Sequence, residues 1–318
     1  MEPRRHKFVV TGGAGFIGST LVRTLLPHGH VLVIDNLLTG FKRNLEEVLD
    51  RIEFYCVDIR NPAAIAPLIR GADAVFHLAA IPSVPRSIDD PVPSHTVNID
   101  GTFNVFRAAA EGGVRRIVYA ASSSAYGDTP ALPKVESMAP SPKSPYAVQK
   151  LVGEYYASVF HSCFHVETVA LRFFNVYGPR QDPSSPYSGV LSVFMKHLLA
   201  RTPPTIHGDG EQTRDFTFVE DVADLCLRAA CTPGIAGRMY NAGNGGRYSL
   251  NLVWKLLQKI EGVEIPARYG PPRPGDVRDS MADTSRVQAD LGHSPRFTIE
   301  EGLKRTLEWY RQNEKRPA

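Results

Sequence analysis

The chain has 318 residues, 43% of them hydrophobic and 22% charged, and its formal net charge is +3. This length allows a large buried core in one domain or two closely joined ones. The small net charge gives no reason to expect a nucleic acid or an acidic membrane surface as a partner. No apolar run reaches the length of a membrane span, and we expect no signal peptide. The four cysteines lack a Cys-x-x-Cys spacing, so we expect free thiols in a reducing cytoplasm and no metal site.

A glycine-rich turn follows the first predicted strand, residues 7–11. Gly12, Gly15 and Gly18 then open an amphipathic helix that runs to about residue 28. The first glycine permits a tight turn, the second lets the backbone approach a pyrophosphate, and the third allows the helix to pack closely on the strand. The helix N-terminus offers N–H groups and a positive dipole end to the phosphates. The pattern predicts a dinucleotide site.

An acidic residue ends the second predicted strand, residues 31–34. Asp35 lies 17 residues after the last glycine of the turn. A carboxylate at this place accepts both ribose hydroxyls of an adenosine and repels the 2′-phosphate of NADP. Lys42 and Arg43 lie nearby and argue for NADP, but we interpret them as loop charges because Asp35 has the better position. The sequence therefore favours NAD.

The next two strands also end in residues suited to a cofactor. The third, residues 52–57, leads to Asp58 and Ile59, which we expect to meet the adenine amino group and ring. The fourth, residues 74–79, contains His77 among apolar neighbours, and we interpret this histidine as a packing residue rather than a catalytic base. The strand ends in small and apolar residues that leave room for a cofactor: Leu78, Ala79 and Ala80.

Strands and helices continue to alternate through the first half of the chain. A helix over about residues 95–111 carries Asn98 near its start, a fifth strand over 116–121 runs into the serines 122–124, and a sixth strand covers 166–173. Strands joined by helices predict an α/β fold with a doubly wound parallel sheet of the Rossmann type. Ligands bind such sheets at the carboxyl ends of the strands, so these motifs should meet at one edge.

The second half of the chain alternates less regularly and is rich in proline and glycine. We expect a smaller α/β lobe over residues 176–318 that holds a substrate above a dinucleotide-binding domain of residues 1–175, with 215–242 returning to that domain. The predicted elements there are a helix to about 200, strands at 205–207, 214–218 and 239–241, and helices at 220–230, 250–260, 285–291 and 299–313.

Tyr146 and Lys150 form a candidate catalytic pair. Ser144 can cap a helix and Pro145 suits its first turn, so the two residues, four apart, share one helix face. A tyrosine has an ordinary pKa of about 10 and is a poor base at neutral pH, but a nearby cation favours its phenolate. Because this spacing is common on ordinary helix faces, the surrounding motifs have to support the assignment.

The motifs together resemble the extended short-chain dehydrogenase/reductase family, and within it the nucleotide-sugar epimerases. The matching segments are residues 11–18, 35–40, 77–80, 122–127, 146–150, 172–175 and 214–216. Fold likeness alone does not establish an activity. Sugar-nucleotide dehydratases carry an acid where this chain has serines 122–124, so a dehydratase is not expected. The segments 126–136 and 177–183 look most like those of UDP-N-acetylglucosamine 4-epimerases.

The resemblance implies an NAD-dependent 4-epimerisation of a UDP-hexose through a 4-keto sugar. Tyr146 would take the proton from the sugar 4′-OH, Lys150 would lower the pKa of Tyr146, and Ser122 or Ser123 would hold the hydroxyl. Ser280 aligns with a gate residue, and its small side chain leaves volume for an N-acetyl group, unless it is only a loop residue. The alternatives are a UDP-glucose 4-epimerase, a UDP-glucuronate 4-epimerase, a net reductase, or a non-catalytic dinucleotide-sensing regulator.

The resemblance also implies further residues in the cofactor site and in the substrate site. It implies a homodimer as well, formed through the helices near residues 98–110 and the Tyr146 helix. Further expected cofactor residues are Phe16, Ile17, Asn36, Leu37, Thr39, Gly40, Asn98, Ala120, Phe173 and Val176. Expected phosphate and sugar contacts are Ser83, Arg86, Ser123, Asn175, Gly189, Thr205, Arg214, Arg273 and Asp276. A surface salt bridge is the alternative for Arg214 and Arg273, and a solvated loop charge for Arg86. Expected uracil contacts are Val190, Phe194, Ile206 and His207.

Overall fold

The computed structural model describes residues 6–182, 189–272 and 277–313. Strands within these ranges are β1 His6–Thr11, β2 Gly29–Ile34, β3 Glu53–Tyr55, β4 Ala74–His77, β5 Arg116–Ser122, β6 Glu167–Phe173, β7 Asn175–Tyr177, β8 Thr205–His207, β9 Thr213–Arg214, β10 Phe216–Phe218, β11 Arg238–Ala242, β12 Tyr248–Ser249 and β13 Arg268–Gly270. Helices are α1 Phe16–Leu25, α2 Pro62–Ile69, α3 Val84–Asp89, α4 Pro91–His95, α5 Thr102–Glu111, α6 Pro145–Phe164, α7 Val190–Leu199, α8 Val219–Cys231, α9 Leu250–Glu261, α10 Ser285–Leu291 and α11 Ile299–Asn313.

Seven strands of the described chain form one parallel sheet in the order β11-β6-β5-β4-β1-β2-β3. The strand order reverses between β1 and β4, whose last residues Thr11 and His77 are paired. A crevice opens at such a reversal because the connections leave the sheet in opposite directions there. The predicted doubly wound fold is confirmed, and the crevice fixes where a ligand can bind.

Helices cover both faces of the sheet, which explains why its strands are rich in buried β-branched residues. On one face, α1 and α8 pack residues such as Leu21 and Leu225 against the sheet. On the other face, α2, α5 and α6 contribute Ile65, Phe106 and Phe160. The two cores hold the strands in place, so the loops at their carboxyl ends start from fixed positions.

A third hydrophobic core lies in the C-terminal part of the chain. Helices α7, α9 and α11 contribute Phe194, Trp254 and Leu303 to it. Three two-stranded pairs accompany these helices: β7 with β10, β8 with β13, and β9 with β12. The division into two domains at residues 175 and 176 stays a prediction.

Three of the differences between the predicted and the observed elements lie near the crevice or the Asp215 segment. The strand predicted over 214–218 is interrupted at Asp215, so that β9 and β10 pair with different partners. The helix predicted over 95–111 contains a π-helical stretch, Thr96–Gly101, before α5. The third strand is only Glu53–Tyr55, which leaves the following residues to form the rim of the crevice. No helix in the described part of the chain is long and apolar enough to cross a membrane.

Candidate active site

A cleft of about 600 Å³ lies at the carboxyl ends of the strands. It brings together most of the predicted cofactor residues although they are far apart in the sequence. Those that line it are Gly12, Gly15, Phe16, Ile17, Asp35, Asn36, Thr39, Gly40, Ile59, Leu78, Ala79, Ala80, Ala120, Tyr146, Lys150, Phe173 and Val176.

The glycine turn is packed too closely for any side chain at its first and third glycines. A Cβ on Gly12 would lie 2.7 Å from the backbone nitrogen of Ala79, and Gly12 has a φ of +74°. A Cβ on Gly18 would lie 2.1 Å from the carbonyl oxygen of Gly12. Helix α1 begins after Gly15, so its first N–H groups have no partner within the helix. The turn therefore fits the pyrophosphate of a dinucleotide.

Asp35 is held at the end of β2 by two backbone groups. Its Oδ2 accepts a hydrogen bond from the N–H of Ala14 at 2.9 Å, and its Oδ1 accepts one from Leu37 at 2.8 Å. Burial raises the pKa of this carboxyl group, and the two bonds oppose that shift. Each oxygen keeps a free lone pair for a ribose hydroxyl, so the residue fits the role that the sequence predicted.

Asp58 does not line the cleft, and its carboxylate is hydrogen-bonded to two neighbouring side chains. Arg60 donates to both of its carboxylate oxygens at 3.0 and 2.8 Å, and Asn36 donates to Oδ2 at 2.8 Å. These bonds lower the pKa of Asp58 to about 2, so it is a stable anion at the rim. Leu37 packs against the core instead of lining the cleft.

Asn98 differs from its predicted role as a cofactor contact. Its side chain is buried and bonds to both backbone groups of Ile81, and its Nδ2 also donates to Gln149 at 2.8 Å. All of its polar atoms are thus used within the protein. Because Ile81 lines the cleft, Asn98 fixes the segment after β4 against the helix of Tyr146.

Tyr146 stands in the first turn of α6, as its sequence context predicts. Ser144 caps the helix by accepting a hydrogen bond from Ala147, and the N–H of Tyr146 donates to Ser87 at 3.1 Å. Burial raises the pKa of the phenol to about 12, and a hydrogen bond with Ser122 opposes that shift. In this state the phenol is protonated at neutral pH.

The serine run is ordered around Ser122. The hydroxyl of Ser124 donates to Ser122 at 2.8 Å, so the Ser122 hydroxyl proton is not used in that bond. Ser122 lines the cleft, and Ser123 starts the short 3₁₀ turn that follows it. Of the two serines predicted to hold a substrate hydroxyl, Ser122 has the geometry for it.

Lys150 lies one turn beyond Tyr146, with its ammonium buried. Its Nζ donates to the carbonyl of Ala120 at 2.8 Å and lies 5.3 Å from the ring of Tyr119. Burial lowers the pKa of Lys150 to about 8, and Glu154 one turn further along the helix opposes this shift. A nearby cation would favour the phenolate of Tyr146, but the pKa of Tyr146 is raised by burial, and only the bond with Ser122 opposes that shift.

His77 is confirmed as a packing residue. Its Nδ1 lies 2.7 Å from the hydroxyl of Thr11 and its Nε2 lies 2.9 Å from that of Thr102. Burial lowers the pKa of His77 to about 3, and the charge of Lys150 adds to that shift. With both nitrogens bonded and the ring buried, the histidine is neutral and unavailable as a base.

The structure places the predicted substrate residues in several separate locations. Ser83, Arg86 and Gly189 line the same cleft as Tyr146, and Ser83 caps α3 with a φ of +106°. His207 lines a second cavity of about 390 Å³ with Arg278. Asn175, Arg214 and Ser280 lie around Asp215, Thr205 lies in β8, and Val190 begins α7. Arg273 and Asp276 lie outside the described residues.

Two predicted uracil contacts need correction. Phe194 and Ile206 are each only 1% exposed, and both belong to the C-terminal core. Phe194 packs edge-on against Trp254 with the ring centres 5.3 Å apart. Their side chains hold the lobe together and offer no surface to a base. The apolar character that suggested a stacking role in the sequence reflects core packing instead.

Sequence reasoning missed two residues that support the cleft. Arg180 lines it and donates to the hydroxyl of Thr20 on α1 at 3.0 Å, which ties the loop after β7 to the nucleotide-binding helix. Asn44 donates to the carbonyl of Ala14 at 2.9 Å and so supports the glycine turn. Arg180 lies in a loop and Asn44 in the 3₁₀ helix Lys42–Arg51, both far in sequence from their partners, so no local pattern marks them.

A Rossmann crevice with a Tyr–Lys pair and a serine facing it defines a class of dinucleotide-dependent enzymes. A model of the NAD dependent epimerase/dehydratase family matches residues 8–243. The chain belongs to this family; it is an enzyme, and its cofactor is NAD.

Three known proteins are similar over nearly the whole chain. A UDP-glucose 4-epimerase of Mycolicibacterium smegmatis is 40% identical over 308 residues, 95% of this chain and 98% of that protein. A UDP-N-acetylglucosamine 4-epimerase structure from Methanobrevibacter ruminantium, in complex with UDP-N-acetylmuramic acid, has a TM-score of 0.94, 34% identity, and coverage of 98% and 100%. A Thermotoga maritima UDP-glucose 4-epimerase structure with UDP-glucose has a TM-score of 0.93, 35% identity, and coverage of 97% and 100%.

Proposed function

We propose that this enzyme interconverts the C4 epimers of a UDP-hexose, with UDP-GlcNAc and UDP-GalNAc as its main pair and UDP-Glc and UDP-Gal as a second. The observation that carries the proposal is the shared cleft. Tyr146, Ser122 and Lys150 face the same space as the glycine turn and Asp35. A base, its hydroxyl partner and a cofactor site in one crevice suit removal and return of hydrogen at a carbinol carbon.

Three residues of the chain have separate roles at the sugar 4′-OH. Tyr146 takes the hydroxyl proton at its Oη, and Ser122, which lines the same cleft, holds the hydroxyl in reach. Lys150 is fixed by Ala120 so that its charge stays beside the phenol. Bound NAD supplies the acceptor and donor of the C4 hydride. Because its pKa of about 12 keeps the phenol protonated in the protein alone, we expect proton removal to need the loaded site.

We infer the range of sugars that the enzyme accepts from the small side chain of Ser280. In the enzymes that the sequence resembles, this position gates the sugar C2 substituent, and serine leaves volume there for an acetamido group. The 40% identity to a UDP-glucose 4-epimerase supports turnover of the plain hexose as well. UDP-glucuronate is the remaining alternative, and it needs a cation at the sugar C6. Arg86, which lines the cleft, is a candidate for that contact.

A comparison of three substrates tests this proposal. The purified protein is incubated separately with UDP-GlcNAc, UDP-glucose and UDP-glucuronate, and the C4 epimers are resolved by chromatography. We expect epimers from the first two and no net release of NADH. Failure to form an epimer from any of the three would contradict an epimerase, and stoichiometric NADH would indicate a dehydrogenase.

We further propose a cytoplasmic homodimer. Cys56, Cys163 and Cys231 are exposed free thiols, which suits a reducing compartment. Three exposed apolar side chains on α6, Val148, Tyr155 and Val159, share a helix face that a second copy would cover. Sedimentation analysis of the native protein and of Val159→Glu measures the mass directly. A monomeric native protein would contradict the dimer.

A further inference from the structure

Asp215 occupies the break between β9 and β10 and is fully buried. Its carboxylate is bonded on every side by groups from separate parts of the chain. Oδ1 accepts from the N–H of Asn244 at 2.7 Å and from the hydroxyl of Thr217 at 3.3 Å. Oδ2 accepts from the N–H groups of Gly245 and Ala282, both at 2.9 Å. One carboxylate thus joins β10, the loop after β11 and the segment at 282.

The backbone of the same residue contacts two of the three predicted substrate residues beside it. Its carbonyl accepts the N–H of Asn175 at 3.1 Å, and its own N–H donates to the hydroxyl of Ser280 at 3.4 Å. The third, Arg214, precedes it directly in the chain. The proposed diphosphate contacts and the proposed sugar gate therefore meet at a single buried residue.

The atoms around the Asp215 carboxylate are closely packed. A Cβ on Gly243 would lie 2.9 Å from Oδ2 of Asp215 and 2.3 Å from Cβ of Ala282. Such packing transmits a shift at one segment to the others, because interiors are close-packed and scarcely compressible. Replacing one carboxylate oxygen by an NH₂ group would set a donor against a backbone donor. The loops would then have to separate.

We propose that Asp215 is a positioning residue for the UDP-sugar: its carboxylate sets the spacing between Asn175, Arg214 and Ser280. This inference rests on the proposed function, since it assumes that those three residues hold the diphosphate and the sugar. It assigns Asp215 no contact with the substrate.

Calorimetric titration of the NAD-loaded protein with UDP tests the inference without any need for turnover. We expect Asp215→Asn to raise the Kd for UDP about tenfold while the content of bound NAD stays unchanged. At saturating UDP-sugar, kcat should stay within about threefold of the wild type, because Tyr146 and Ser122 are untouched. The loss should therefore fall on KM.

Asp221 offers a matched control. It is also buried, at 1% exposure, and its carboxylate accepts backbone N–H bonds from Arg296 and Phe297, which lie outside the segments that Asp215 joins. We expect Asp221→Asn to lower the melting temperature as Asp215→Asn does, with the Kd for UDP within twofold of the wild type. An equal rise in Kd for both variants would reduce Asp215 to a general stabilising residue and overturn the inference.

A milder variant keeps the test decisive if Asp215→Asn does not fold. Thr217→Val removes only the hydroxyl bonded to Oδ1 and conserves volume; we expect about a threefold rise in the Kd for UDP. Wild-type affinity in Thr217→Val, or in a folded Asp215→Asn, would overturn the positioning role. Failure of the proposed function has a different signature: the wild-type protein would form no epimer. A wild type that does not bind UDP would remove the premise of both.

Discussion

Arg172 and Glu154 form a bidentate ion pair inside the protein, with Nε–Oε1 and Nη2–Oε2 distances of 2.8 and 2.7 Å. The two side chains are only 3% and 7% exposed. Glu154 lies one helical turn beyond Lys150, and Arg172 precedes the cleft residue Phe173 at the end of β6. The pair therefore fixes α6, the helix of Tyr146 and Lys150, to the end of β6, which forms part of the cleft wall.

Breaking this pair should cost much of the stability of the fold. In Glu154→Gln the buried Arg172 keeps its charge without a counter-ion, and we expect a loss of about 3–5 kcal/mol in the free energy of unfolding. Urea denaturation followed by circular dichroism measures it. The exposed pair Arg107–Glu111 on α5 is the control, and Glu111→Gln should change the stability by less than about 0.5 kcal/mol. Similar small losses in both variants would show that the buried pair does not hold the helix.

Replacing the proposed base, Tyr146, should lower the rate of turnover and leave the amount of bound NAD unchanged. We expect Tyr146→Phe to lower kcat by about a thousandfold, because the substitution removes the hydroxyl that is proposed to take the proton. The NAD released on denaturation, measured by ultraviolet absorbance, should match the wild type. Tyr155, exposed on the same helix, gives the control Tyr155→Phe with normal turnover. Near-normal activity in Tyr146→Phe would remove Tyr146 from the catalytic role.

A larger side chain at the proposed gate should separate the two sugar classes. Ser280 lies half-buried next to Arg214 and Asp215, so Ser280→Tyr adds an aromatic ring beside the proposed sugar site. We expect kcat/KM for UDP-GlcNAc to fall at least about tenfold more than that for UDP-glucose. Ser280→Ala, which adds no bulk, should leave the ratio unchanged. An equal loss on both substrates in Ser280→Tyr would contradict the gate.

The buried His77 predicts how stability depends on pH. The pKa of His77 is about 3 in the folded protein and 6.5 in the unfolded chain. Between these two pH values the unfolded chain binds a proton at His77 and the folded protein does not. Stability should therefore fall as the pH drops below 6.5 and continue to fall until about pH 3. Between pH 6.5 and 4.5 this one residue contributes a loss of about 2 kcal/mol.

Denaturant unfolding of the wild type and of His77→Gln across that pH range isolates the contribution. The difference in free energy of unfolding between the two proteins should shrink toward acid, because glutamine does not titrate. A difference that is constant from pH 6.5 to 4.5 would mean that the histidine is protonated in the folded state as well.

Many of the candidate site residues could be predicted from their spacing in the sequence. Gly12, Gly15 and Gly18 are set by the backbone geometry of one turn, and Asp35 by the end of the next strand, so their positions could be read without knowledge of the fold. The helical period likewise put Tyr146 and Lys150 on one face. The cleft brings these residues together at the positions that the local patterns indicated.

Other assignments depended on distant partners and could not be predicted. Phe194 and Ile206 have the apolar character of base-stacking residues, but the packing of α7 on α9 buries them. Asn98 has the character of a cofactor contact, but Ile81 and Gln149 use all its polar atoms. A side chain's neighbours decide such cases, and they come from anywhere in the chain.

The sequence by itself determined the α/β alternation, the preference for NAD and the Tyr146–Lys150 pair, because turn geometry and helical period act over a few residues. Only the tertiary structure decided that Ser122 rather than Ser123 lines the cleft with Tyr146, and that Asp215 interrupts a predicted strand to join three segments. The physical reason is that a buried polar group must be satisfied by partners that folding brings together, and a linear pattern does not contain those partners.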